Sequence, residues 1–186
     1  MKSNIISLIL SLFFFLFTSQ LNASDQAWNI AKEGNKIILI RHSLAPGGGD
    51  PVSFKIDDCK TQRNLNRAGI NQSKKIGNFF RQYKVPVDQV LSSQWCRCKD
   101  TAKHAFGDFK EFAALNSTFQ SPHDKNEEKQ LNDLYDYVNK WDGKGKNLVL
   151  VTHYSIITAV TNAAPSSGEI VITNKDFDVL GSIQTD

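Results

Sequence analysis

The sequence has no run of basic residues and no marked excess of charge of either sign. Its 22 Lys and Arg stand against 19 Asp and Glu, a formal +3. A surface that holds nucleic acid or an anionic membrane clusters its Lys and Arg. Here they are scattered, so neither partner class is expected. Internal repeats, linker-like stretches and a second domain are also missing. Cysteine is sparse, with only Cys59, Cys96 and Cys98. A zinc site built from these three and His104 is the weaker reading, since Cys-x-Cys is not the paired spacing of structural zinc sites. No metal and no cofactor is expected.

The one extended apolar run, Ile5 to Phe17, is broken only by Ser7 and Ser11. At thirteen residues it falls short of the roughly 20 needed to span a bilayer. Lys2 precedes it, and Thr18-Ser19-Gln20-Leu21-Asn22-Ala23 follow. That layout is a secretory signal peptide with cleavage expected near Ala23. No cysteine lies there to carry a lipid anchor. Residues 1–23 are thus expected to be the signal and 24–186 one domain of ordinary size. The mature protein is expected in the periplasm or the medium, without stable membrane association. An oxidising compartment favours a disulfide, and an odd count leaves one thiol over. Cys96 and Cys98 are poorly placed to bridge each other within one helical turn. Cys59 with either Cys96 or Cys98 is the expected pair.

Within the domain, Lys36 to Ile40 is a continuous β-branched and aliphatic run, the habit of a strand covered on both faces. Val87 to Ser92 and Leu148 to Val151 read the same way. Shorter strands are expected at Phe112–Leu115, at Glu169–Thr173 and from Val179. Helical spacing marks Leu65 to Tyr83, with Ile76, Phe79, Phe80 and Tyr83 on one face. A helix from Ser92-Ser93 carries Trp95, Ala102, Ala105 and Phe106. Asp124 to Trp141 is another, stopped by Gly143 and Gly145, and a short one starts at Ser155. Alternating strands and helices predict an α/β fold with a mainly parallel sheet.

Two of the buried strands run into a histidine, Ile40-Arg41-His42 and Val151-Thr152-His153. Ligands of open α/β sheets bind beyond the carboxyl ends of the strands. Either histidine alone reads as a core residue at a strand end. Together, and with Arg41 alongside, they point to one shared site. A third strand end leads through Ser92-Ser93 to Arg97 in the first turn of a helix. A cation there opposes the helix dipole and is better placed if an anion shares the space.

These segments, with Leu65-Asn66-Arg67-Ala68-Gly69-Ile70-Asn71-Gln72 between the first and third, resemble in their order the histidine phosphatase superfamily, which includes the cofactor-dependent phosphoglycerate mutases. The similarity spans nearly all of residues 24–186. It implies a three-layer α/β/α sandwich with a mainly parallel central sheet. It also implies that His42 is transiently phosphorylated, while Arg41, Arg97 and His153 bind the phosphate. Arg63, just before the second segment, reads equally as a third phosphate ligand or a structural residue.

The chemistry is consistent with that assignment. A phosphoryl group in transfer spreads negative charge over three oxygens and needs fixed cations around an in-line nucleophile. Two guanidiniums provide forked donors and disfavour imidazolium, keeping His42 nucleophilic. One departure stands out. Related enzymes often carry a carboxylic acid after the arginine helix, and here that region, Leu115 to Gln120, has none. Asp124, Glu127 and Glu128 are the nearest substitutes. The expected activity is hydrolysis of a phosphorylated small molecule or phosphoprotein. The alternative is a non-catalytic or weakly active anion-binding protein on the same scaffold.

Overall fold

The computed structural model describes residues 24–185; the segment expected to be a signal peptide lies outside them. Among the described residues no helix is long and apolar enough to cross a membrane. Six strands form one sheet: β1 (Ile37–Arg41), β2 (Val87–Ser92), β3 (Lys110–Glu111), β4 (Asn147–Thr152), β5 (Ile170–Thr173) and β6 (Val179–Ile183). Their order is β3-β2-β4-β1-β5-β6. The β3–β2, β2–β4 and β4–β1 pairings are parallel, whereas β5 and β6 are added antiparallel.

The apolar runs alternate between two separate cores, which is why they are apolar at every position. Ile38, Ile40, Val149, Val151, Ile170 and Ile172 point to one face. There they meet α1 (24–32), α2 (Arg67–Gln82) and α3 (Cys96–Phe106). Ile37, Leu39, Leu148, Leu150 and Val171 point to the other. There they meet α4 (Glu127–Lys140) and α5 (Tyr154–Thr161). The result is the three-layer sandwich expected from the sequence. The α2–α3 contact is close enough to require glycine: a Cβ on Gly77 would lie 2.1 Å from the Ala105 carbonyl oxygen.

Three local expectations are corrected. Helix α1 was not foreseen. It carries Trp28, which stacks on Tyr83 at 4.7 Å, meets Phe80 edge to face and packs at a tilt on Phe79. Its apolar residues Ala27, Trp28, Ile30 and Ala31 span too short a stretch for a period to be read. The strand expected at Phe112–Leu115 is instead a 3-10 turn, Ala113–Leu115. The strand itself is the exposed pair Lys110–Glu111 just before it, because Leu115 buries downward against the core shared with α4. Finally, the third helix begins at Cys96 rather than Ser93; the Ser93 hydroxyl instead accepts from the Trp95 N–H at 3.2 Å.

Candidate active site

Sheet register brings the three functional strand ends side by side. Arg41 pairs with Thr152, and Ser92 with Val151. One residue further on, the His42 N–H donates to Thr152 O at 2.9 Å and the Ser93 N–H to Val151 O at 2.9 Å. His42, His153 and Ser93 therefore emerge together, and Ser93 leads directly into α3 and Arg97. His42, Arg41, Arg97 and His153, the four residues singled out from the sequence, line one cavity of about 150 Å³. Arg63, Tyr154, Phe119 and the Gly47–Asp50 loop also line it.

His42 is 2 % exposed. Its Nδ1 lies 2.8 Å from the Ser43 carbonyl oxygen, an acceptor only, so Nδ1 carries the proton and Nε2 is bare. Burial holds the ring's pKa well below the usual 6.5, and the Arg97 charge adds to the effect; the Ser43 bond opposes it. Ser43 must be small: its hydroxyl accepts from Ser73 at 2.8 Å and its N–H donates to Thr101 at 3.0 Å, all buried.

His153 faces His42 with ring centroids 5.4 Å apart. Burial, then Arg97 and His42, hold it neutral as well. Arg97 donates to its Nδ1 at 3.4 Å. Its Nε2 therefore carries the proton and donates to Ser93 Oγ at 2.9 Å, and Ser93 in turn donates to Asn116 at 3.1 Å. The free thiol of Cys98 sits 3.4 Å from the same Nε2. Burial pushes that thiol up to about 12, so it is no nucleophile.

The arginines are held at their ends and leave donors over. Arg41 donates to Pro165 O at 2.8 Å and lies over the Tyr154 ring. Arg63 donates to Gly49 O at 3.0 Å and to Ala45 O. It thus braces the loop and lines the cavity. The Nε groups of Arg41 and Arg97 are buried without a hydrogen-bond partner.

Asp50 is the residue that sequence reasoning missed. Its carboxylate accepts from Arg97 at 2.8 and 3.1 Å, from the Trp95 indole at 3.0 Å and from the Arg63 N–H at 3.0 Å. Burial alone would raise its pKa, but the Arg97 contacts outweigh this and lower it. Nothing in Gly49-Asp50-Pro51 separates it from a solvated loop aspartate. The substitutes named for a general acid do not reach the site. Asp124, Glu127 and Glu128 are not among the lining residues, and Glu127 accepts from Thr118 at 2.7 Å. Three guanidiniums against one carboxylate leave the cavity with two formal positive charges.

The disulfide joins Cys59 to Cys96, resolving the two pairings left open. It removes two ligands from any zinc site on these cysteines. No group of three potential metal ligands occurs among the described residues.

No family model matches the chain, and no curated protein matches it in sequence. Solved structures do. The putative phosphohistidine phosphatase SixA from Agrobacterium tumefaciens aligns with a TM-score of 0.53 at 16% identity, covering 82% of this chain and 99% of its own. A phosphoglycerate mutase from Thermus thermophilus aligns at 0.53 and 15%, covering 81% and 99%. The chain has the phosphoglycerate mutase-like fold. A protein histidine phosphatase SixA solved with tungstate aligns at 0.51 and 13%, covering 81% and 96%. Within this shared fold, the cavity described above lies at the carboxyl ends of β1, β2 and β4 of the present chain.

Proposed function

We propose that the chain is a phosphatase of the histidine phosphatase superfamily that works through a phosphohistidine on His42. The observation that carries this reading is the bare Nε2 of a buried, neutral His42 beside three guanidiniums. A cavity with two formal positive charges suits a phosphoryl dianion. The two unpartnered Nε–H groups are donors that such an anion would satisfy. Tungstate, the ligand of one neighbour, is a tetrahedral oxyanion like phosphate.

In the first step the Nε2 lone pair attacks phosphorus, the N–P bond forms, and the bond to the leaving group breaks. The leaving group takes the electron pair. Arg41, Arg97 and Arg63 hold the equatorial oxygens. The Nδ1 proton stays on His42, and the Ser43 carbonyl stabilises the positive charge that phosphorylation puts on the ring. His153, whose Nδ1 accepts from Arg97, holds that guanidinium toward the phosphoryl oxygens. In the second step water attacks phosphorus, the N–P bond breaks and phosphate leaves. The arginines supply the charge that a metal supplies elsewhere.

Export belongs to the same proposal. The signal-like start supports it, and the Cys59–Cys96 bond suits an oxidising compartment. Mature protein should begin near Ser24.

The test of the mechanism is a rapid alkaline quench after mixing with p-nitrophenyl phosphate. The outcome expected is an acid-labile phosphate on His42, with adduct and turnover both lost in His42→Ala. Phosphate on Ser, Thr or Asp, or full turnover in His42→Ala, refutes it. An anion-binding protein without turnover would bind phosphate yet form no adduct.

A further inference from the structure

Next to the phosphate-sized cavity lies a larger one of about 600 Å³. The two share Asp50, Ser117 and Gln120. Gln120 forms part of the divide, accepting from the Asp50 N–H at 2.8 Å and donating to Asp50 O at 3.3 Å. Sites for organic ligands run about 300–1,000 Å³. The first chamber, at about 150 Å³, is below that range and takes a tetrahedral anion without its organic body. The second falls within it.

The lining of the second chamber is specific. Trp95 is buried, Phe54 stacks on it at 4.9 Å, and His123 sets its ring edge against both at 5.1 and 5.4 Å. The indole N–H is already committed to Asp50. The surface left to a ligand is ring faces and edges, with Pro122 and Val52 at the sides. No Lys or Arg lines it, and its one carboxylate, Asp50, is paired with Arg97. A second phosphate or a carboxylate would find no counter-charge there.

Leaving-group chemistry points the same way. Among the described residues lining the phosphate cavity, Asp50 is the sole carboxyl group, and Arg97 keeps it ionised. A poor leaving group such as an alkoxide needs a proton from an acid. A ring that carries the negative charge itself does not.

We infer that the second chamber is the leaving-group subsite, and that the substrate class is a phosphate monoester of a flat, uncharged aromatic ring. This rests on the phosphatase reading above and adds the organic half of the substrate to it.

The test is calorimetric titration of the full mature protein with methylphosphonate and with phenylphosphonate, which present the same anion without and with a ring and are not hydrolysed. Phenylphosphonate should bind at least about tenfold more tightly, and Phe54→Ala should cut that ratio about fivefold or more. His123→Ala, which removes the ring set against both Trp95 and Phe54, should do the same and keeps the test decisive if Phe54→Ala fails to fold. Equal affinities for the two phosphonates, or a ratio untouched by both variants, overturns the subsite and leaves the phosphatase reading standing. Failure of methylphosphonate and inorganic phosphate alike to bind sinks the phosphatase reading, and the subsite with it.

Discussion

Asp50→Ala should be among the most destabilising single changes in this loop, and phosphate should repair part of the damage. The Arg97 and Asp50 side chains are 3% and 7% exposed. Removing one member of a buried ion pair leaves the other charge uncompensated, at a cost of about 3–5 kcal/mol. The Trp95 indole and the Arg63 N–H lose their acceptor too, though water entering beside the loop would satisfy them. For a domain of this size each kcal/mol lowers Tm by about 2–4 °C, so the variant should melt about 6–20 °C below wild type. An anion in the cavity then takes the place of the lost carboxylate opposite Arg97. Saturating phosphate should therefore raise the Tm of the variant by more than it raises that of wild type. Scanning calorimetry with and without phosphate measures both effects. A loss of less than about 2 °C would show that the burial of Arg97 is not offset through Asp50. An equal phosphate shift in both proteins would show that Asp50 and the anion do not share Arg97.

Arg97→Lys should lower kcat/KM for p-nitrophenyl phosphate about 10- to 100-fold, since charged hydrogen bonds contribute about 1.5–3 kcal/mol each and lysine lacks the fork; unchanged kinetics would contradict the role given to the guanidinium. Both active-site histidines have folded pKa values well below 6.5, so below that pH the unfolded chain binds protons that the folded chain refuses. Stability should be full above about pH 6.5 and fall by about 1.4 kcal/mol per pH unit for each histidine as pH drops, until the folded pKa is reached. Denaturant titrations between about pH 7 and pH 5 measure this slope, and a flat profile would mean that the histidines are charged in the fold. Cys59→Ser opens a loop spanning a sequence separation of 37 and should cost about 4 kcal/mol on the chain-entropy account; urea unfolding with and without reductant checks it, reductant being expected to act on wild type alone.

How much of this was legible in the sequence follows from what each residue depends on. His42, Arg41 and His153 were readable because a buried strand is a continuous apolar run, and the residue ending it is the one delivered to the sheet edge. Arg97 followed from the same rule through β2, although the start of α3 was placed three residues early. The direction of β5 was not readable, because a four-residue strand buried on both faces has the same pattern whether it runs parallel or antiparallel. Asp50 and the Gln120 contact were hidden because a loop's path, not a period, puts them at the cavity. The tautomer of His153 was likewise hidden, since it is set by Arg97 and Ser93 from another part of the chain.

The pairing of β1 with β4 has a consequence for how this protein can change length. His42 and His153 meet because Arg41 stands opposite Thr152, one position before each of them. Deleting a single residue from β1 would shift the strand by about 3.3 Å and turn its side chains to the opposite face. The two core linings would be exchanged, and His42 would be drawn back into the sheet. The distance from Ile37 to His42 is therefore a fixed count. The loop from Val52 to Asp58, exposed apart from Phe54 and Ile56, is under no such rule, because its ends are pinned by the Asp50 carboxylate and the Cys59–Cys96 bond. Insertions there leave the phosphate cavity intact while reshaping the chamber beside it, so descendants of this chain would be expected to keep the strand count and vary the loop.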